Sequence, residues 1–168
     1  MYIISGIAYA SSQRNEVPSI SGGGVILAAT ADMVIPARFD AMPAVAHEIE
    51  QFMQLAGFCD QAVLDIQLAV EEIITNIIRH GFCGSPGLIS IHSIADTDLL
   101  TVEIVDEAPP FNPLTVPDPD ITSSIAERKT GGLGIYLVRQ VTDTVTYRYE
   151  DEKNILIFTK KKQKDAVS

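Results

Sequence analysis

Between residues 63 and 78 the apolar residues recur at helical spacing. On a wheel turned by about 100° per residue, with Glu72 at the origin, Val63, Ile66, Val70, Ile73, Ile74, Ile77 and Ile78 fill one arc. Glu72, Asn76 and His80 follow each other at intervals of four on the other side, and mainly Leu68 breaks the separation. This pattern predicts an amphipathic helix over 61–80, with Asp60 as N-cap and Gly81 as the residue just past its end. A second amphipathic run predicts a helix over 41–57, with Pro43 in its first turn and Gly57 beyond its last.

Alternating patterns predict the strands. MVIPARF (33–39) reads as an edge strand, because Pro36 breaks a ladder. LISIHSIA (88–95) and LLTVEIVD (99–106) read as a hairpin about DTD, and TVTYRYE (144–150) and NILIFTK (154–160) as a second about DEK. GGLGIYLVRQVTD (131–143) reads as a glycine turn entering a short helix. Residues 107–130 show no period, and five of the nine prolines fall between 109 and 119, which predicts a long lid or binding loop. The order β-α-α-β-β-loop-α-β-β predicts an α+β fold, a two-layer sandwich with a mixed, mostly antiparallel sheet and helices on one face. SSQRNEVPSISGGG reads as a linker, and 1–30 as an N-terminal arm outside the main fold, flexible or pairing as an edge strand.

Composition narrows the class. The chain has 168 residues, 46% hydrophobic and 20% charged, enough for one soluble domain at 31–160 with a full core. A net charge of −10 argues against a general nucleic-acid or anionic-membrane binder. The basic KKKQK run at 160–164 reads as a solvating tail. No apolar run reaches the length of a membrane span, and MYIISGIAYA lacks the positive start of a signal peptide. Cys59 and Cys83 have no CxxC partner, so reduced thiols in a cytoplasmic protein are expected.

Three stretches carry candidate chemistry. GGLG at 131–134 suits a phosphate cradle at a helix N-terminus, and equally a hinge. Asp106 closes a strand, where a carboxylate can accept from an exocyclic amine or simply form a turn. Glu72 and Asn76 lie one helical turn apart. They pair a proton acceptor with an amide oxygen suited to Mg²⁺, a layout that fits phosphoryl transfer beside a phosphate cradle. No P-loop motif or strand-borne GxGxxG is present.

Taken in order, EEIITNIIRH resembles the N box of the GHKL (Bergerat-fold) ATPases, VDEAPPFNP their first glycine box and TGGLGIYLVRQ their second. The wording is most similar to the anti-sigma-factor serine kinases, over about residues 31–160. The resemblance implies Glu72 as general base and Asn76 as Mg²⁺ ligand. It implies Asp106 as the adenine-reading carboxylate, with Ala108 beside the base. Thr130, Gly131, Gly132, Leu133 and Gly134 match the phosphate turn, and 109–130 the ATP lid, from which Arg128 and Lys129 would reach a γ-phosphate. ATP and Mg²⁺ are then the expected cofactors. The expected partners are a STAS-type anti-anti-sigma protein, a sigma factor and a second copy of the chain.

One position departs from the family's Asp-x-Gly. Ala108 stands in place of the glycine and would be strained if its φ had to be positive. That departure motivates an alternative, a partner-switching module that binds without turnover. His80 is expected to favour the helix dipole rather than catalysis. Tyr136 and Phe111 are expected to pack rather than stack on a base.

Overall fold

The computed structural model describes residues 3–4, 7–8, 14–21, 24–119 and 132–163, with side chains from residue 28 onward. Strands β1 (Ile3–Ile4) and β2 (Ile7–Ala8) pair with each other. β3 (Arg14–Ser21) pairs with β4 (Gly24–Pro36), so most of the stretch read as a linker is one arm of a hairpin. β4 therefore starts well before the strand expected at 33–39. It also stops at Pro36, not at Phe39. The described β3 ladder ends at Ala31, so among the described residues Pro36 has no β3 neighbour on that side to lose a hydrogen bond.

A 3₁₀ turn at Phe39–Ala41 leads into α1 (Met42–Leu55), which carries Pro43 in its first turn. The helix ends in a Schellman motif. Gly57 donates to Gln54 O at 2.9 Å and Phe58 to Met53 O at 3.0 Å, with Gly57 at φ 77°. α2 spans Asp60–Asn76. Its N-cap is Cys59 with no side-chain cap bond. Asp60, expected as the cap, is the first helical residue, where its charge still favours the dipole. After Asn76 the helix widens into a π turn, Ile77–Gly81, in which Phe82 donates to Ile77 O at 2.9 Å. The extra residue moves the terminus onward. Gly81 is thus inside the turn, and the left-handed residues are Cys83 (φ 51°) and Gly84 (φ 84°).

β5 (Leu88–Ala95) and β6 (Leu99–Asp106) form the first hairpin, closed by Asp96 Oδ1, which accepts from the N–H groups of Asp98 and Leu99. α3 (Leu133–Val141) precedes β7 (Thr144–Glu150) and β8 (Lys153–Lys161). Asp151 and Glu152 turn that second hairpin with φ 50° and 61°, the two left-handed residues of a type I′ turn. The main sheet runs β3-β4-β5-β6-β8-β7, and every described pairing is antiparallel, within the mostly antiparallel sheet that was expected.

The strands alternate. Ile89 and Ile91 of β5, Leu100, Val102 and Ile104 of β6, and Leu156 and Phe158 of β8 turn inward and are buried. They meet Val45, Ile49 and Met53 of α1, Ile66, Val70 and Ile74 of α2, and Ile135 and Val138 of α3 in one core.

The basic run at 160–164 is in part structural, contrary to expectation. Lys160 Nζ lies 2.7 Å from Asp65 Oδ2 on α2 and 2.8 Å from Val141 O at the end of α3. Lys162 Nζ donates to Ala56 O after α1 and stands 5.3 Å from the Phe58 ring centroid. Both ammonium groups close helix C-termini, where the dipole favours a cation. No helix among the described residues is long and apolar enough to cross a membrane.

Candidate functional site

The two halves of the fold meet at the end of α2. Asn76 is its last residue, and the π turn behind it brings Gly81 against Ala108 at the end of β6. Asn76, Gly81, Asp106, Ala108, Phe111 and Asn154 line one cleft of about 520 Å³, counting the space open to solvent at its mouth. Ile73, Ile77, Ile104, Ile135 and Leu156 give it an apolar wall. Apolar walls with a few placed polar groups are the usual make-up of a small-molecule site.

Asp106 is buried at 5% exposure. Its Oδ1 accepts from Ala108 N at 2.9 Å and from Asn154 Nδ2 at 3.0 Å. Burial pushes its carboxyl above the usual range, while these two hydrogen bonds pull it back. Oδ2 takes no hydrogen bond among the described residues. No buried side-chain oxygen there is left without a partner, so Oδ2 must keep access to the cleft. An acceptor held in that way fits a ligand amine.

Glu72 and Asn76 adjoin the start of α3. A Cβ on Gly134 would overlap Glu72 Oε2 and stand 3.3 Å from Glu72 Cδ and 3.6 Å from Asn76 Nδ2. Gly132 is the N-cap of α3 with φ 84°, and a side chain there would meet Pro117 O at 3.1 Å. The two glycines serve different needs: one a left-handed turn against the loop, the other a close approach to α2. The first N–H groups of α3 lack intrahelical partners, so this glycine-lined helix start can receive an anion. Among the described residues no three His, Cys, Asp or Glu converge on a metal position. Asn76 supplies one amide oxygen, which fits Mg²⁺ only with phosphate and water completing the shell.

Ala108 is not among the residues with positive φ, so the strain feared there does not arise. Its methyl is buried against Gly81, where a Cβ would come within 3.0 Å of it. Leu133 is exposed, and His80 is exposed and absent from the cleft wall. Tyr136 does not line the cleft either. Phe111, expected to pack, is half exposed at the cleft. Thr130, Gly131, Arg128 and Lys129 lie outside the described residues, as does the 120–130 part of the expected lid. The described part holds a 3₁₀ turn, Pro113–Thr115, which Arg139 of α3 clasps through Leu114 O and Asp118 Oδ1, both at 2.6 Å.

Sequence reasoning missed Arg139, Tyr147 and Asn154. Asn154 was detectable. It shares the inward phase of β8 with Leu156 and Phe158, and a polar residue in that phase needs partners.

Comparison with known proteins places the chain among relatives of the same fold. "Serine-protein kinase RsbW" of Listeria monocytogenes serovar 1/2a is 29% identical over 107 residues, 61% of this chain and 68% of the relative. "Anti-sigma F factor" of Clostridium acetobutylicum is 26% identical over 98 residues, 58% of this chain and 68% of the relative. A crystal structure of the RsbU and RsbW domains of Rv1364c from Mycobacterium tuberculosis matches with a TM-score of 0.53 and 12% identity, over 79% of this chain. The match spans 33% of that longer chain, and at such identity it speaks for the fold alone. The family model of the histidine kinase-like ATPase domain matches residues 35–160, most of the chain, and the protein belongs to that family.

Proposed function

We propose that this protein is an ATP- and Mg²⁺-dependent serine-protein kinase of the anti-sigma-factor type, acting on a small STAS-type anti-anti-sigma protein and binding a sigma factor. The observation that carries the reading is the contact of Gly134 with Glu72 and Asn76, beside a cleft that holds Asp106. The names of the relatives, a serine-protein kinase and an anti-sigma factor, support the same direction.

In this reading Asp106 Oδ2 accepts from the exocyclic amine of adenine. The backbone at Gly132–Gly134 and the start of α3 bind the phosphates, and the Asn76 amide oxygen holds Mg²⁺. Bound ATP would supply the transferable phosphoryl group, and Mg²⁺ would neutralise charge that develops on it. Glu72 accepts the proton of the partner's serine hydroxyl. Thr130 and Gly131 extend the phosphate turn, and 109–130 act as its lid. The strain at Ala108 that in part motivated the binding-only alternative does not arise, although its methyl still lines the cleft.

Along the sheet face away from the described helices, Ile94, Val105, Ile155 and Ile157 are only partly covered, and we assign this face to a second copy of the chain. Incubation of the protein with labelled ATP and its cognate partner tests the activity. Phosphoserine on the partner with wild type and not with Glu72→Ala is expected. Equal labelling by both would remove Glu72 as the base, and a stable partner complex without phosphoserine would favour binding alone.

A further inference from the structure

Asn154 is buried at 7% exposure and is the most heavily hydrogen-bonded side chain near the cleft. Its Nδ2 donates to Asp106 Oδ1 at 3.0 Å and to Ala108 O at 2.9 Å, with Pro109 O at 3.4 Å. Its Oδ1 accepts from Phe111 N at 3.1 Å and from the Tyr147 hydroxyl at 2.8 Å. The orientation of the amide is not arbitrary. Phe111 N–H can only donate and Ala108 O can only accept, so the nitrogen must face Ala108 and Asp106. Tyr147 remains a donor, because burial and the nearby Asp106 carboxylate both push its phenol up.

An amide has two N–H groups and two acceptor lone pairs. Here all four are engaged by protein groups, so Asn154 has nothing left to offer a ligand. We infer that Asn154, oriented by Tyr147, is a positioning and specificity-determining residue that acts only through Asp106. By occupying Oδ1 together with Ala108 N, it leaves Oδ2 as the one acceptor turned to the cleft. It also ties residues 108, 109 and 111, the start of the loop, to β8. The ligand class this selects is a base with an exocyclic amine beside a ring. The inference rests on the proposed nucleotide site and adds to it the source of base selection. Among the described residues the titratable groups facing Asn154 are Asp106, Tyr147 and Tyr149, its register partner on β7; the Glu107–Lys153 pair nearby is exposed.

The test is calorimetric titration of the full chain with ADP and with the diphosphate of purine riboside, which lacks only the 6-amino group. Wild type should prefer ADP by about tenfold or more, the worth of a hydrogen bond to a buried charge. In Asn154→Ala and Tyr147→Phe that preference should shrink toward one, with purine-riboside binding largely kept. Asn154→Asp gives an independent reading should the alanine variant not fold. At pH 8 two adjoining carboxylates should abolish the preference. At pH 5.5 a protonated Asp side chain can again donate to Asp106, and the ADP affinity relative to wild type should recover by about tenfold. An equal loss for both ligands in Asn154→Ala, or an Asn154→Asp deficit that does not change with pH, would overturn the positioning role while leaving the nucleotide site standing. Absence of ADP binding by wild type would overturn the nucleotide site itself.

Discussion

Gly134 and Glu72 compete for the same space: a methyl group on Gly134 would overlap the Glu72 carboxylate oxygen Oε2. The overlap is with the far end of a flexible side chain, not with backbone. Alanine also favours a helix over glycine by about 1 kcal/mol. Gly134→Ala should therefore change stability by no more than about 1 kcal/mol in either direction. It should nevertheless lower partner phosphorylation at least about tenfold, because the carboxylate must leave its place beside Asn76. Thermal unfolding and labelled-ATP transfer on the same preparation check both halves.

Gly81 and Ala108 form a matched pair across the cleft. Gly81→Ala adds a methyl 3.0 Å from the Ala108 methyl, closer than ordinary van der Waals contact, and should cost about 1–3 kcal/mol by overpacking. Ala108→Gly in the same chain should restore most of that. Urea unfolding of both single variants and the double variant measures the coupling, and additive losses would show that the two methyl positions do not conflict.

Lys160 joins β8 to Asp65 of α2 and to the last carbonyl of α3, and both ends of its ion pair are mostly buried. Lys160→Ala should destabilise the fold by about 1–3 kcal/mol, since it leaves a partly buried carboxylate and a helix carbonyl without a cation. Lys161 has an exposed side chain, and Lys161→Ala should stay within about 0.5 kcal/mol of wild type. Denaturant midpoints for the two variants give the comparison.

Asp106 makes stability depend on pH in a definite sense. Its folded-state pKa is raised above the ordinary carboxyl value, mainly by burial. Folding therefore favours the protonated form, and this contribution is fully present below the unfolded pKa. It is lost as pH rises through the raised folded value. Asp106→Asn keeps an Oδ1 acceptor for Ala108 N and Asn154 and cannot ionise. Its stability relative to wild type should increase as pH rises from about 3.9, the ordinary carboxyl value, and level off above the folded value. Chemical unfolding of both proteins across that range provides the slope, and a decrease would reverse the sign.

Much of this was legible in the chain. The period of α2 put Glu72 and Asn76 on one stripe, and strand alternation located β5, β6 and β7 at their observed bounds. The glycines at 132 and 134 marked the start of α3. The rest depended on contacts between distant segments. Nothing local in EEIITNIIRH announces a π turn after Asn76, because the extra residue is accommodated by the packing of Gly81 on Ala108. Lys160 looked like part of a tail because charge runs usually stay in solvent, yet the inward phase of β8 aims it at Asp65 within α2 and at the last carbonyl of α3. Residues 1–30 read as an arm, flexible or pairing as an edge strand, and 11–24 within it as a linker because glycine and serine fill part of it, whereas β3 and β4 pair through backbone groups that composition does not reveal.

The central claim is that one cleft, read by Asp106 and bounded by Asn76 and the start of α3, takes an adenine nucleotide. Calorimetric titration with ADP and ATP, with and without Mg²⁺, measures this directly when wild type is set beside Asp106→Asn. One saturable site per chain in wild type is expected, tighter for ATP when Mg²⁺ is present, with binding weakened at least about tenfold by Asp106→Asn. No heat of binding in wild type, or equal binding by both proteins, would contradict it.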